Sequence, residues 1–409
     1  MFGIRNSKIE VDIDEKIIEE ILSRGVEKIY PSKEFLKSKM LKGERLSIYL
    51  GIDPTGPSLH LGHLIPLLKL SKFQKLGHQI ILLIGDFTAM IGDPTDKTAT
   101  RRKLSRDEVL ENLKEYQKQA SKFISFNGTN KALFKFNSEW LSKLNFEQVL
   151  DLASNMTVQQ MIERDMFSTR MKEGKPIYIH EFLYPLMQGY DSVALNVDGE
   201  IGGNDQTFNM LTGRNLIKIF KNKEKFVIST KLLSDSSGKK MGKTEDNMIS
   251  LKDDSIEMFG KVMSWSDEMI VPGFEVITQS SPTELESIKN SITSGQNPRD
   301  FKIRLAKELV SICYGIESAE RAQESFENIF TKGGVPEDVE EVTVTTDSML
   351  VEVLLSKKII SSKSEWRRLV SEGAVTKMDT EKKVENPDEI AELGVYKIGK
   401  RRFVKIKTD

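Results

Sequence analysis

The sequence contains almost no cysteine, few histidines and no long apolar run. Of its 409 residues one is a cysteine, Cys313, and four are histidines. A single cysteine excludes a disulfide within the chain and any metal site built from several cysteines. No apolar run approaches the roughly 20 residues that a membrane-spanning helix needs, and the charged start, Met1 to Glu20, lacks a signal-peptide core. We therefore expect a cytoplasmic protein with no membrane segment.

Charge of one sign does not dominate the chain. It has 60 Lys and Arg against 61 Asp and Glu, a net charge of −1, so its average field is not that of a nucleic-acid binder. Positive charge is nevertheless concentrated near the end, where five basic residues between 357 and 368 face only Glu365, and six more lie between 397 and 407. We expect any polyanion to bind there. The length predicts two or three domains.

The first half of the chain alternates strand and helix patterns. Ser47–Ile52 and Gln79–Gly85 are apolar or β-branched, as buried strands are, and between them His60–Leu76 carries apolar residues at helical spacing. Strand, helix and strand in about forty residues predict a βαβ unit in a parallel sheet. Ala132–Phe136 and Val193–Val197 are further strand candidates. Such sheets bind ligands beyond the carboxyl ends of their strands.

After about Ser250 helical patterns dominate, and a third unit follows a linker. The predicted helices are Asp254–Met263, Thr283–Ser294, Pro298–Tyr314 and Ala319–Phe330. The glycine-rich and then acidic, Thr-rich run from Gly333 to Asp347 is typical of a linker. The last unit is predicted to hold helices over Met349–Lys357 and Lys363–Ser371 and strands near Val375, Val395–Ile398 and Phe403–Ile406.

A first chemical motif follows the first predicted strand. Asp53-Pro54-Thr55 ends that strand, and a helix begins near His60, where free backbone N–H groups and the helix dipole suit a phosphate. His60 and His63 lie three residues apart, so both project from the first turn, and Gly62 leaves room for a flat ring or a sugar. Two imidazole donors there can stabilise charge that builds on a phosphate. Chance placement is the weaker alternative, because the chain has only four histidines.

A second motif, Ser234–Thr244, is polar, contains two glycines and carries several lysines. Lysine is a flexible point charge that can follow a leaving pyrophosphate, and a loop that closes during the reaction stabilises the transition state. A solvated surface loop with lysines is an equally good reading of this motif alone. Together, however, His60-Leu-Gly-His63 and Lys240-Met241-Gly242-Lys243-Thr244 resemble the paired signatures of class I aminoacyl-tRNA synthetases. Gly242 and Thr244 replace two serines of the usual second signature, and the lysines and a hydroxyl remain.

A polar stripe on a predicted helix indicates the substrate. Tyr184, Gln188 and Asp191 stand at i, i+4 and i+7, and such a stripe is expensive to bury unless it meets a ligand; a capped, partly exposed helix is the alternative. The stretch resembles tyrosyl-tRNA synthetases. This resemblance implies that Tyr49 and Asp191 bind the phenolic hydroxyl of tyrosine, and that Tyr184, Gln188 and Asp93 hold its ammonium group. A site built to bind a hydroxyl rejects phenylalanine strongly, and the handling of tyrosine by these very enzymes is the standard example.

Further matches extend the resemblance through the catalytic part. Gly202–Gln206 resembles a turn of the family in which Asp205 would bind the ribose hydroxyls of ATP, and Gly85–Pro94 resembles its second strand and turn. Lys97 and Arg101 lie in a charged loop that could touch pyrophosphate or the tRNA acceptor end; a solvated loop and ordinary glycine turns stay open as alternatives. The resemblance implies ATP contacts from Gly51, Asp53, Gly62, Gly203, Asp205, Gln206, Met241 and Lys243. It implies catalytic roles for Thr55, His60, His63, Lys240, Lys243 and Thr244.

The C-terminal part resembles the family as well. Asn297–Lys307 is similar to its helical domain, and Ser361–Leu369 followed by Glu372–Val375 is similar to an S4 RNA-binding module. A basic helix pair in such a module would grip tRNA phosphates, while Trp366 is expected in the core rather than on a stacked base. The tRNA-binding candidates are Lys363, Arg367 and Arg368.

The resemblance covers nearly the whole chain and implies an α/β protein. It predicts a Rossmann-type parallel-sheet catalytic domain over 1–232, the KMGKT loop and an α-helical anticodon-side domain over 233–340, and a small α+β S4-like domain over 347–409. The implied reaction joins L-tyrosine to tRNA(Tyr) with ATP and Mg²⁺, without a protein metal site, in a homodimer. A tryptophanyl-type synthetase is the nearest alternative, although indole offers no hydroxyl to Tyr49 and Asp191. A non-catalytic RNA-binding relative is another, disfavoured by the intact histidines and lysines.

Overall fold

The computed structural model describes residues 9–93, 104–163, 165–233, 248–331, 339–344, 348–380, 382–399 and 402–408. The chain forms two compact units, Met1–Cys313 and Tyr314–Asp409. This division is coarser than the three predicted domains, which remain a prediction. Within the described ranges, no helix is both long enough and apolar enough to cross a membrane.

A six-stranded sheet organises the first unit. The strands are β1 (Val26–Tyr30), β2 (Ser47–Ile52), β3 (Gln79–Ile84), β4 (Leu133–Phe136), β5 (Gly199–Gly203) and β6 (Phe226–Thr230). Their order across the sheet is β1-β6-β5-β2-β3-β4, and every neighbouring pair is parallel except β1 with β6. The carboxyl ends of β2 to β6 therefore meet at one edge, where α/β sheets bind ligands.

Helices connect and cover these strands. Those before the fifth strand are α1 (Glu15–Ser23), α2 (Lys33–Leu41), α3 (Leu61–Lys75), α4 (Arg106–Leu113), α5 (Tyr116–Ala120), α6 (Ser138–Leu141), α7 (Phe146–Ala153), α8 (Val158–Ile162), α9 (Asp165–Lys172) and α10 (Ile179–Leu195). Those after it are α11 (Thr207–Lys221), α12 (Ser255–Met263), α13 (Ile270–Ile277), α14 (Pro282–Thr293) and α15 (Pro298–Tyr314).

The predicted βαβ unit is confirmed as β2, α3 and β3. β2 and β3 pair in parallel from Ser47 with Gln79 to Ile52 with Ile84, and the β3 side chains after Gln79 are buried. The helix begins directly after its N-cap His60 and ends before Gly77. Gly77 has φ +94°, and a Cβ there would lie 2.4 Å from the carbonyl oxygen of Glu10, so only glycine fits.

The predicted strand Val193–Val197 is wrong. Val193 lies in the last turn of α10, which ends at Asn196 in the left-handed conformation with φ 50°. The strand of this region is β5, which the sequence pattern misses because three of its five residues are glycine. At the first of these, Gly199, a Cβ would lie 2.0 Å from the ring of Phe226. Because the neighbouring strand packs so closely, glycines stand where a strand usually has the β-branched residues on which strand prediction depends.

The second unit is a small α+β structure. Its elements are α16 (Ile316–Thr331), β7 (Glu340–Val344), α17 (Leu350–Ser356), α18 (Lys363–Ser371), β8 (Val375–Lys377), β9 (Lys382–Lys383), β10 (Gly394–Ile398) and β11 (Arg402–Thr408). The sheet order is β7-β11-β10-β8-β9. Trp366 is 1% exposed in the core and donates its indole N–H to the carbonyl oxygen of Pro387 at 2.7 Å, which confirms its predicted core role.

The helices and strands predicted after Asp254 agree with the structure to within three residues at each end, but one expectation there needs correction and one helix was not predicted. Part of the predicted linker is β7, which pairs in parallel with β11 and buries Val342 and Val344 on one face. The short apolar segment Ile270–Ile277, for which we predicted nothing, is α13. The pattern does not predict β7 because its apolar residues alternate with acidic and threonine residues. It does not predict α13 because that helix is short.

Candidate active site

The start of α3 carries the two histidines at the expected place. The backbone N–H of Gly62 donates to Nδ1 of His60 at 3.1 Å, and the N–H of His60 donates to Nδ1 of His63 at 3.2 Å. The ring centroids lie 4.0 Å apart. Because each Nδ1 accepts a hydrogen, the neutral rings carry their own hydrogen on Nε2. The helix start therefore combines its dipole with two imidazole N–H donors.

Asp53 fixes the turn between β2 and this helix. Its carboxylate accepts from the hydroxyl of Thr88 at 2.7 Å and from the hydroxyl of Tyr184 at 2.8 Å. The hydroxyl of Tyr116 donates to the carbonyl oxygen of Gly56 at 2.6 Å, on the loop that carries Thr55. The turn is thus held by side chains from α5, α10 and the segment after β3.

Tyr49 and Asp191 lie together in the interior, where β2 meets α10. The Tyr49 hydroxyl lies 2.9 Å from the hydroxyl of Ser192, the residue after Asp191. Trp140 donates to one oxygen of Asp191 at 2.8 Å and Asn137 donates to the other at 3.3 Å. Burial raises the pKa of Tyr49, which keeps its hydroxyl protonated. Burial also raises the pKa of Asp191, and the two donated hydrogen bonds oppose that rise.

The predicted ammonium-binding residues lie in two parts of the structure. Tyr184 and Gln188 lie on α10 as predicted, and the carbonyl oxygen of the Gln188 side chain is buried with no hydrogen-bond partner among the described residues. Asp93 accepts from the side-chain amide of Gln206 at 2.7 Å, which joins the segment after β3 to the turn after β5. A buried acceptor without a donor favours a ligand that brings one.

The predicted ATP residues that the structure describes lie around the carboxyl edge of the sheet. Gly51 and Gly203 lie at the ends of the neighbouring strands β2 and β5. Asp205 follows in the short turn Asn204–Gln206, and a Cβ at Gly203 would lie 2.6 Å from its carboxylate. Gly62 is also crowded, because a Cβ there would lie 2.9 Å from the His60 ring.

The second motif and the charged loop lie outside the described residues, which omit 234–247 and 94–103. This applies to Lys240, Met241, Lys243 and Thr244 and to Lys97 and Arg101. The described chain after the second motif nevertheless meets the first: Leu61 donates its backbone N–H to Ile249 at 3.0 Å, and Leu251 donates to Leu59 at 2.9 Å. The bridge between His60 and Ser250 brings the two motifs' flanks together.

Comparison with known proteins identifies the family of the chain. A family model described as tRNA synthetases class I (W and Y) matches residues 41–331. A tyrosine–tRNA ligase of Legionella pneumophila (strain Lens) is 45% identical over 391 residues, covering 94% of this chain and 96% of the relative. The ligase of Moorella thermoacetica (strain ATCC 39073 / JCM 9320) is 42% identical over 410 residues, covering 98% of each. The chain belongs to the tyrosine–tRNA ligases.

Solved structures of tyrosyl-tRNA synthetases share the fold of this ligase. That of Archaeoglobus fulgidus, complexed with L-tyrosine, has a TM-score of 0.59 at 22% identity and covers 76% of this chain and all, 100%, of its own. A truncated mitochondrial synthetase of Aspergillus nidulans has a TM-score of 0.64 at 23% identity, covering 77% and 94%. The predicted α/β class with a Rossmann-type sheet is therefore confirmed for the ligase.

The candidate tRNA-binding residues lie on one exposed helix of the ligase, α18. Lys363, Arg367 and Arg368 are all exposed there. Lys363 pairs with Glu352 at 2.5 Å, and Arg368 approaches Glu372 at 3.7 Å. Exposed pairs of this kind contribute little stability, so they leave the side chains available to a phosphate.

Sequence reasoning missed several residues that shape the ligase site. Asn137 and Trp140, which bond Asp191, sit at the start of α6 after a short strand, where nothing in the pattern marks them. Glu200 and Lys225 form a buried ion pair behind Tyr49. A signal existed for these two, because a charged residue beside or within a strand of buried apolar residues is expensive without a partner.

Proposed function

We propose that this tyrosine–tRNA ligase binds L-tyrosine and Mg-ATP at the carboxyl edge of the first sheet and joins the amino acid to tRNA(Tyr) in two steps. First, a tyrosine carboxylate oxygen attacks the α-phosphorus of ATP, the bond to the bridging oxygen breaks, and pyrophosphate leaves. A hydroxyl of the terminal adenosine of tRNA then attacks the carbonyl carbon and AMP leaves. A carboxylate is already ionised at pH 7, so catalysis needs positioning and charge stabilisation rather than a base.

The pocket around α10 supports tyrosine as the amino acid. Tyr49 and Asp191 are buried where the phenolic hydroxyl would end, and Tyr184, Gln188 and Asp93 would hold the ammonium group. The observation that carries the proposal is the buried Gln188 oxygen, which lacks a donor among the described residues and lies on the same helix as Asp191. An ammonium group supplies such a donor.

The helix start of α3 and the neighbouring turns support ATP binding. Thr55, His60 and His63 would contact the phosphates, and Lys240, Lys243 and Thr244 would stabilise the leaving pyrophosphate from the second motif. Mg²⁺ would enter as part of the Mg-ATP substrate. The remaining contacts of the nucleotide would come from Gly51, Asp53, Gly62, Gly203, Asp205, Gln206, Met241 and Lys243.

Exchange of labelled pyrophosphate into ATP tests the first step. We expect exchange that depends on tyrosine and is far weaker with phenylalanine or tryptophan, since the buried polar groups of the pocket would then be unpaired. Exchange that follows tryptophan would assign a different substrate, and no exchange with any amino acid would overturn the catalytic proposal. Asp191→Asn should abolish the dependence of exchange on tyrosine. Asp198→Asn removes the same charge from a partly buried carboxylate outside the proposed pocket and is the control.

The second step requires tRNA, for which the exposed basic face of α18 is the proposed anchor. Replacing Lys363, Arg367 and Arg368 with glutamine should weaken tRNA binding and its salt dependence while pyrophosphate exchange is unchanged. Replacing three exposed lysines of the predicted catalytic domain, Lys16, Lys42 and Lys75, with glutamine is the matched charge control. Equal loss in both triple variants would argue against a specific anchor.

We also propose a cytoplasmic homodimer. Large apolar side chains are exposed on four successive helices, α7 to α10, with Phe146 at 77% and Ile179 at 80% exposure. Apolar side chains gathered in one part of the surface indicate a protein interface. Sedimentation should give a dimer that Phe146→Glu with Ile179→Glu converts to a monomer, whereas Ile316→Glu, also exposed, should not.

A further inference from the structure

Behind the side chain of Tyr49 lies a buried ion pair that the proposed chemistry does not use. Lys225 precedes β6 and is completely buried, and its ammonium group pairs with Glu200 of β5. The same nitrogen lies 2.7 Å from the hydroxyl oxygen of Ser192 on α10 and 5.5 Å from the centroid of the Tyr49 ring. Burying two charges costs desolvation free energy, so an ion pair against a recognition residue suggests more than a structural role.

The donors and acceptors of this cluster favour one direction for the hydrogen bonds, from Lys225 through Ser192 to Tyr49. An ammonium group has only donors, so the oxygen of Ser192 accepts from Lys225. That oxygen lies 2.9 Å from the Tyr49 hydroxyl. Hydrogen bonds in a chain polarise one another, so an oxygen that accepts from a cation becomes a better donor through its own hydrogen. Ser192 is therefore the favoured donor to Tyr49, and the hydrogen of Tyr49 is left for an acceptor other than Ser192. Glu200, whose carboxylate also hydrogen-bonds the Tyr49 hydroxyl, is one such acceptor, and a phenolic oxygen is another.

The other end of the chain is Asp191. Both of its oxygens accept N–H donors, as an ionised carboxylate does. A phenol between Asp191 and Tyr49 would donate its hydrogen to the carboxylate and would need a donor for its oxygen. Tyr49 meets that need only when its hydrogen is directed away from both Ser192 and Glu200.

We propose that Lys225, Glu200 and Ser192 are positioning residues that direct the Tyr49 hydroxyl hydrogen at the phenolic oxygen of tyrosine, and so contribute to the preference for tyrosine over phenylalanine. The proposal rests on the assignment of Tyr49 and Asp191 to the phenol made above. Lys225 donates to Ser192 and also pairs with Glu200, which engages the carboxylate that competes for the Tyr49 hydrogen. Ser192 then donates to the Tyr49 oxygen. None of the three touches the reacting atoms.

The packing around Ser192 decides which variants are informative. A Cβ at Gly213 of α11 would lie 2.6 Å from the Ser192 hydroxyl and 2.8 Å from the Lys225 nitrogen, so the cluster fills its space. Threonine at position 192 would be crowded, whereas Ser192→Ala only removes the hydroxyl. Ser229→Ala is the matched control, because Ser229 is equally buried in β6 but donates to Lys28 at 3.1 Å.

Steady-state pyrophosphate exchange with Ser192→Ala, Tyr49→Phe and the double variant tests the proposal. Ser192→Ala should raise KM for tyrosine about three- to tenfold, the usual effect of one hydrogen bond, with kcat and KM for ATP unchanged. The preference for tyrosine over phenylalanine should fall by the same factor. In the Tyr49→Phe background Ser192→Ala should have no further effect, since the group that it directs is gone.

The outcomes separate the two proposals. If Tyr49→Phe leaves the preference for tyrosine unchanged, the phenol assignment itself fails and the positioning role fails with it. If Tyr49→Phe lowers the preference but Ser192→Ala matches Ser229→Ala, or adds its full effect to Tyr49→Phe, only the positioning role is overturned. Lys225→Met combined with Glu200→Met removes both charges without leaving either unpaired, and should reproduce the KM change of Ser192→Ala; an unchanged KM would overturn the part assigned to the ion pair.

Discussion

Trp140 and Asp191 are 51 residues apart, and the indole N–H of Trp140 donates to the buried Asp191 carboxylate at 2.8 Å. This donor stabilises the ionised form of an acid whose pKa burial raises. If Asp191 binds the phenol as proposed, this bond gives α6 a direct part in tyrosine recognition. It also allows the charge of Asp191 to be altered without replacing the residue itself.

Trp140→Phe should therefore raise the pKa of Asp191 further. The acidic limb of the pH profile of kcat/KM for tyrosine should move to higher pH, because the carboxylate becomes protonated earlier as pH falls. Trp265→Phe is the control, since the indole nitrogen of buried Trp265 has no hydrogen-bond partner among the described residues. Identical profiles for the two variants would contradict the role of Trp140.

Gly62→Ala should slow adenylate formation without weakening tyrosine binding. The added Cβ would lie 2.9 Å from Cε1 and 3.1 Å from Nδ1 of the His60 ring, so the ring must rotate away from its place at the helix start. We expect kcat for pyrophosphate exchange to fall tenfold or more while the Kd for tyrosine is unchanged, as rapid kinetics and equilibrium dialysis can measure. Gly260→Ala, with open space around the added Cβ, is the control and should not alter kcat.

His78 should make the first unit less stable as pH falls from about 6.5 to about 4. Its Nδ1 accepts the backbone N–H of Leu46 at 3.2 Å, and burial together with nearby Arg45 lowers the pKa of His78 to about 4. Over this window the unfolded chain binds the proton and the folded chain does not, so stability falls by at most about 3 kcal/mol. Urea unfolding across this range should give a shallower pH dependence for His78→Asn; parallel curves would refute the assignment.

Glu365 should stabilise the start of α18. It accepts from the backbone N–H and the hydroxyl of Ser361, each at 2.7 Å, and pairs with Arg402, and the Ser361 bonds first and Arg402 next lower the pKa of Glu365 to about 2. Because the folded pKa is depressed, this contribution is present above pH 4.5 and is lost as pH falls toward 2. Hydrogen exchange at pH 7 should accelerate over 361–371 in Glu365→Gln. Glu372→Gln, which alters an exposed 3.7 Å pair, should have a much smaller effect.

Periodicity and helix-end signals predict the first βαβ unit and most elements after Asp254, but not the elements before Ser47 or most of those between β3 and Asp254. β2, α3 and β3 follow from apolar spacing with His60 and Gly77 at the helix ends, because local burial dictates them. β5 does not follow from apolar spacing. Its first residue must be glycine because the ring of Phe226, which is distant in sequence, leaves no room for a Cβ. β7 was hidden because Val342 and Val344 alternate with acidic and threonine residues.

The same distinction applies to the site. Tyr184, Gln188 and Asp191 could be grouped from helical spacing alone, and one helix carries them. Asn137 and Ser192 could not be assigned, because their importance lies in contacts to Asp191 and Tyr49 that only the tertiary structure creates. Sequence pattern predicts which residues share an element, whereas hydrogen-bond partners on different elements can be identified only from the tertiary structure.

The bridge between His60 and Ser250 has a consequence for the second motif. Upstream, Lys231 donates its backbone N–H to Gly25 at 3.0 Å, and downstream the chain is fastened to the start of α3. The downstream anchor turns the start of α3 and the chain that joins it into parts of one covalent loop. Any group attached to such a loop meets its other end as an intramolecular partner, at an effective concentration that falls only slowly as the loop lengthens. A longer loop would lower that concentration slightly, whereas loss of the bridge would remove the constraint.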